Sequence, residues 1–407
     1  MAVKPAQKPL FLAAQDVSKT LLFMCFFESS GAQSHSRRGL RQRSSGYKGP
    51  QQPSASYFIR HIHCSSIKVA TLITTTEQYP VKKTILQIAA LATLAVSSAH
   101  VAAQDRAGWP SSFTVGTASQ GGTYFVYGAG WANLVSKELG LPGAGEVTGG
   151  PMQNMALVHT GDAQFGMTTL GPARESIDGT NPIAPGLKMD NSCAMFPMYK
   201  TPFSVTTLAT SGIDSISKIP AGSRIGFGPA GSTSDTYFPR MLETLGVQFD
   251  RRNGGWSDLG GQLQDGLLNV IAFAVGVPVP AVSQLEVQTK VNIIDFTKEE
   301  QAKILAAYPV SAFEIPASTY TTLTKPARSV AMWNFAVANC QLSESFVYEA
   351  TKVVMSDNAR MLGIHKAAKE TVVANWDKNS FMAWHPGAAK WFNENGAKIP
   401  ANMIYKK

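Results

Sequence analysis

The stretch SRIGFGPAGSTSDTYFPRMLETLGVQFD, Ser223 to Asp250, decides the fold. RIGFG reads as a strand, glycines at 226, 228 and 231 turn the chain, Thr233 to Leu245 has helical spacing, and GVQFD reads as the next strand. The glycines fit G-x-G-x-x-G, and Asp250 falls nineteen residues after the third, where a dinucleotide-binding fold wants its ribose acid. The same geometry serves any anion that accepts hydrogen bonds from backbone N–H groups at a helix start. NAD would further require a cytoplasmic setting and a Rossmann unit that begins in mid-chain. The front of the chain argues against that setting.

Residues 1–103 hold twelve Lys/Arg and three Asp/Glu, whereas residues 104–407 hold twenty-four of each. The formal charge of +9 therefore lies wholly ahead of Gln104. A neutral body lacks the basic surface expected of a nucleic-acid binder. VKKTILQIAALATLAVSSAHVAAQ, from Val81, has the layout of a secretory signal peptide: Lys82 and Lys83, an apolar run from Ile85 to Val96, then Val101 and Ala103 before Gln104. The run is twelve residues long, short of the roughly 20 needed to cross a bilayer. We expect residues 81–103 to be a cleaved signal, with a mature periplasmic protein starting at about Gln104. Residues 1–80 are expected to be a non-native or disordered extension, with translation starting at Val81.

The body alternates strands and helices. SFTVGTAS (112–119) leads through QGGTY into a helical segment that stops near Gly140; GEVTGG is a short strand; PMQNMALVHTG follows as a helix and AQFGMTT as a strand. FSVTTLAT (203–210) is β-rich and leads to the second unit, followed by a helical stretch near Leu259 to Leu268, the strand VNIIDF (291–296) and the β-rich run SVAMWNFAVAN. Two α/β units joined by extended crossovers predict an α/β fold of two lobes, with mainly parallel sheets, helices on both faces and a cleft between. Cys193 and Cys340 remain in the mature part, and their spacing leaves their pairing open.

Three glycine-rich strand-to-helix turns are the candidate site. The first supplies Gln120, Gly121, Gly122, Thr123 and Tyr124; the second Thr148, Gly149, Gly150, Gln153 and Asn154; the third Gly231, Ser232 and Thr233. G-x-S-x-G, H-E-x-x-H and C-x-x-C do not occur in the body, and His159, His365 and His385 have no zinc spacing. No catalytic residue, metal or cofactor is expected. Arg174, Arg224 and Arg240 are read as solvated, His385 as structural, and Asp250 as the end of a strand. Asn154→Ala is expected to weaken solute binding and leave the melting of the ligand-free protein nearly unchanged.

TASQGGTYFVYG, EVTGGPMQN, IGFGPAGSTSD, GVPVPAVSQL, IPASTY and HPGAAKWFNENG occur in the order seen in TAXI-type receptors of TRAP transporters, which the chain resembles from Phe113 to Pro400. The resemblance implies a two-lobed periplasmic-binding-protein-like fold of type II that closes on a small solute and delivers it to membrane subunits, without catalysis and as a monomer. It divides the chain into lobe 1 (104–210), lobe 2 (211–322) and a return to lobe 1 with C-terminal helices (323–407). It adds Gly276, from a G-x-P-x-P-A segment, to the site. Pro151 stands where the family has serine, Gln153 where it has glutamate, and Thr233-Ser234 where it has glycine-threonine. Family ligands are mostly small carboxylates. The absence of a carboxylate at Gln153 favours an acid without an amino group.

Overall fold

The computed structural model describes residues 106–407. The extension, the signal segment and Gln104 lie outside them. Along the chain run β1 (Phe113–Gly116), α1 (Thr123–Leu139), β2 (Gly143–Glu146), α2 (Pro151–Thr160), β3 (Phe165–Thr169), α3 (Leu170–Asp178) and β4 (Ser192–Leu208). Next come β5 (Ser223–Gly226), α4 (Thr233–Thr244), β6 (Phe249–Arg252), α5 (Trp256–Gln264), β7 (Val270–Ala274) and α6 (Pro280–Gln288). They are followed by β8 (Val291–Ile293), α7 (Lys298–Ala307), β9 (Ser311–Ile315), β10 (Ala327–Asn339), α8 (Glu344–Met355), α9 (Asn358–Ile364) and α10 (Pro386–Glu394).

The strand order is β2-β1-β3-β10-β4-β7-β5-β6, with β8 on β4 and β9 on β10. β2-β1-β3 and β7-β5-β6 are parallel triplets, one per lobe. Between them β4 and β10 run antiparallel to each other and to their neighbours. Both strands pass from one lobe to the other, so they are the structural seam about which the lobes meet. β4 begins eleven residues before the β-rich run read from the sequence and is buried over nearly its whole length. With both faces covered it shows no in–out alternation, which is why its first half carries no strand signal.

Each lobe has its own core. Trp131, Phe165, Phe196 and Phe335 pack in the first, where Trp131 meets Phe165 and Phe196 edge-on at 5.6 Å each. In the second, β7 separates two clusters by its period of two: Val270, Ala272 and Ala274 face Phe203 and Phe238, while Ile271 and Phe273 face Trp256 and Leu285. Helices thus cover both faces of that sheet, as expected. Pro239 lies inside α4 and has no N–H for the carbonyl of Asp235; the guanidinium of Arg251 donates to that oxygen instead, at 3.2 Å.

Cys193, near the start of β4, and Cys340, just past β10, form a disulfide with Cα atoms 5.2 Å apart. The pairing left open by the sequence is thereby made. No helix among the described residues is long and apolar enough to cross a membrane.

Candidate functional site

A small cavity of about 30 Å³ lies where the ends of the parallel strands meet the seam. Four helices start at its wall: α1 after Gly122, α2 after Gly150, α3 after Thr169 and α4 after Ser232. A fifth, α5, contributes its first residue, Trp256. The caps of α1, α2 and α3 receive no side-chain hydrogen bond. No cap side chain therefore takes their first backbone N–H groups (Pro151, the first residue of α2, has none), and each helix start carries partial positive charge. Around these donors stand the hydroxyls of Thr123, Tyr124, Thr169, Thr201, Ser232 and Thr233; among the described residues no Lys, Arg, His, Asp or Glu lines the wall.

The hydroxyls are held in place from behind. Tyr124 donates to Asn334 Oδ1 at 2.6 Å, and Asn334 Nδ2 reaches the Tyr199 carbonyl at 2.7 Å and Thr201 Oγ1 at 2.6 Å. Burial pushes the Tyr124 phenol far above its ordinary range, so it stays a neutral donor. Thr169 and Thr233 share a hydrogen bond of 2.6 Å across the lobes. The lobes also meet where Thr123 Oγ1 donates to the Gly276 carbonyl and where Ala281 N donates to the Gly121 carbonyl at 3.0 Å. Outside the cavity, Glu175 of α3 accepts from Tyr237 at 3.1 Å and from Arg240 at 2.9 Å, both on α4.

Of the residues singled out in the sequence, Gly122, Thr123, Tyr124, Gly149, Gly150, Ser232 and Thr233 line the cavity. The others stand behind it or away from it. Asn154 is fully buried, and its Nδ2 donates to the carbonyls of Thr117 and Met167 at 2.8 Å each. Its Oδ1 accepts from Thr148 Oγ1 at 2.7 Å, so both residues tie β1, β3 and α2 together and the expected solute contact of Asn154 gives way to a structural one. Thr148 does not cap α2; Gly150 does, with φ of 108°, a backbone that favours glycine. Gln153 is exposed and accepts from Gly149 N at 2.6 Å, which removes it from the argument about an amino group. Gln120 is exposed. Gly121 and Gly276 serve lobe contacts, and Gly231 N donates to Asp235 Oδ2 at 3.0 Å.

Asp250, expected at the end of a strand, is the second residue of β6 and pairs with Arg252 at the surface; it does not line the cavity. The glycines of the opening stretch have separate reasons. A Cβ on Gly226 would meet Leu268 and Leu259, one on Gly228 would collide with Trp256, and Gly231 has φ of 80°. Arg174 pairs with Asp178, and Arg224 donates to the Gly266 carbonyl. His385 caps α10, accepting from Gly387 N at 3.2 Å, and His365 faces the Pro278 carbonyl at 3.0 Å.

Thr169, Thr201, Pro229, Trp256, Ala274 and Val275 line the cavity without having been singled out. Thr169 and Ala274 end strands and Thr201 lies inside one, with no local motif to mark them. For Trp256 a signal did exist: Gly254-Gly255 turns the chain directly before it.

A family model described as "NMT1-like family" matches residues 115–396. Among solved structures, the chain is similar to the periplasmic binding protein BugD, at 14% identity over 69% of this chain and 95% of that one, with a TM-score of 0.47. It is also similar to Rpa4515 of R. palustris with adipate, at 14% identity over 70% and 98%, with a TM-score of 0.44. A third is the periplasmic aliphatic sulphonate binding protein SsuA of Escherichia coli, at 12% identity over 72% and 88%, with a TM-score of 0.37.

Proposed function

The chain belongs to the NMT1-like family, and from that premise and the cleft we propose that it is an extracytoplasmic solute receptor. It takes up a small carboxylate between its lobes and hands it to the membrane subunits of a TAXI-type TRAP transporter. The observation that carries this reading is the cavity wall: three helix starts without side-chain caps converge on a pocket ringed by hydroxyls and, among the described residues, free of charged side chains. Backbone N–H groups, with the hydroxyl of Thr201 and one of the Thr169–Thr233 pair, suit a carboxylate without any arginine. An α-ammonium would find no acidic partner there, so the favoured solute lacks an amino group. The disulfide fits an oxidising compartment and hence export by the segment 81–103. The lobe limits at 210 and 322 belong to the same proposal.

A thermal-shift panel of acetate, pyruvate, lactate, succinate, 2-oxoglutarate, glutamate and NAD tests it. At least one of the amino-free acids is expected to raise the melting temperature, with no response to NAD. A response to glutamate alone, or to NAD, overturns the reading. Membrane subunits of a TRAP transporter encoded beside this gene are the expected genomic setting.

A further inference from the structure

Trp256 opens α5 on lobe 2, and its ring lies on Phe273 of β7 with centroids 4.8 Å apart. The residue is 2% exposed and forms part of the cavity wall. Glycines of both lobes make room for it. A Cβ on Gly228, in lobe 2, would stand 2.3 Å from its Cζ2, and one on Gly122, in lobe 1, 2.8 Å from its Cδ1 and 3.1 Å from its Nε1. Gly122 has φ of −97°, a backbone any residue adopts. Its lack of a side chain is therefore required by the indole and not by the turn. The indole N–H has no hydrogen-bond partner among the described residues, and the edge that carries it lies against Gly122, the uncapped start of α1 in the cavity wall.

We propose that Trp256 is the specificity-determining residue of the cleft: its seating on Gly122 sets how far the lobes close, and so the size of the pocket, while its N–H is the side-chain donor that α5 gives to the solute. This rests on the receptor reading for the donor but not for the seat. The seat is a packing claim that holds with no solute present.

The test uses purified protein with Gly122→Ala, Trp256→Ala, the double variant and Trp256→Phe. In ligand-free melting, Gly122→Ala is expected to lower Tm by several degrees in the wild type and by under one degree when Trp256 is already alanine, because the colliding atoms are gone. Small-angle scattering of Gly122→Ala should show a more open particle. For the amino-free acids of the panel, Trp256→Phe should weaken the preferred acid at least tenfold and move the preference toward a larger one. Equal Tm losses for Gly122→Ala in both backgrounds overturn the seat. An unchanged order of acids in Trp256→Phe, with unchanged affinity, overturns the donor. If no acid stabilises the wild type, the carboxylate reading fails and the donor assignment with it, whereas the melting cycle still decides the seat.

Discussion

At Asn154 two amide hydrogens go to the carbonyls of Thr117 and Met167, and the amide oxygen takes the hydroxyl of Thr148. Thr117 follows β1 and Met167 lies in β3, so one side chain spans two neighbouring strands from the first turn of α2. Asn154→Ala would take one buried donor from each carbonyl, Thr117 keeping the hydroxyl of Thr148 at 3.0 Å, at about 1–3 kcal/mol for such a group. We expect a loss of about 2–4 kcal/mol in urea unfolding of the ligand-free protein. Unchanged unfolding with lost solute binding would return Asn154 to the wall of the site. Asn154 also shows where a motif stops being informative. A threonine, two glycines and an asparagine at a helix start mark the turn correctly, but the same residue types serve a cap, a strut or a ligand contact. Only the facing strands decide which.

The starts of α1, α2 and α4 were legible because glycine, proline and hydroxyl residues punctuate the chain locally: Pro151 stands at a first helical position, and Ser232 caps α4 through Asp235 N at 3.1 Å, whereas α3 and α6 were not read as helices. What was not legible is which strand ends share the cavity, since Thr169, Thr201 and Ala274 are brought together by pairings across β10, β4 and β7. The start of α10 was legible in the same local way, from HPGAAKW, and it has a consequence for pH. His385 Nδ1 accepts from Gly387 N, which leaves Nε2 to carry the proton and donate to the Leu342 carbonyl at 3.3 Å. Burial pushes its pKa down to about 4 from the ordinary 6.5. The folded protein thus holds His385 neutral while the unfolded chain protonates it below pH 6.5. Stability from this group is full above pH 6.5 and is lost as the pH falls toward 4, by about 3 kcal/mol in all. His365, also lowered by burial, adds loss of the same sign. His385→Asn keeps a capping oxygen and removes the titration, so unfolding between pH 7.5 and 4.5 should fall less steeply than in the wild type. Parallel pH profiles would remove His385 as a source.

On the scale of the whole molecule, the two lobes are joined through β4 and β10 and held together by contacts on both sides of the cavity. The disulfide joins the ends of those strands that lie in lobe 1, so it braces that lobe without restraining the approach of the other. Closure is left to weak cross-lobe contacts, which suits a cleft that must open again. Among the described residues Glu175 makes the charged contact of this set: α3 and α4 both start at the cavity, and the pair with Arg240 and Tyr237 binds them along their length. Arg240 is half exposed, which holds the ion pair itself to about 0.2–1 kcal/mol and makes it sensitive to salt. Glu175→Ala should therefore raise Kd for an acid that stabilises the wild type by about two- to tenfold, chiefly through faster release. The same contact predicts that wild-type affinity weakens between 50 mM and 500 mM NaCl more than affinity of Glu175→Ala does. Titration calorimetry at the two salt concentrations measures both effects. Equal affinities at low salt and equal salt slopes would show that α3 and α4 meet without the help of Glu175, and that closure is left to neutral contacts such as those at Gly121, Thr123, Thr169 and the Trp256 seat.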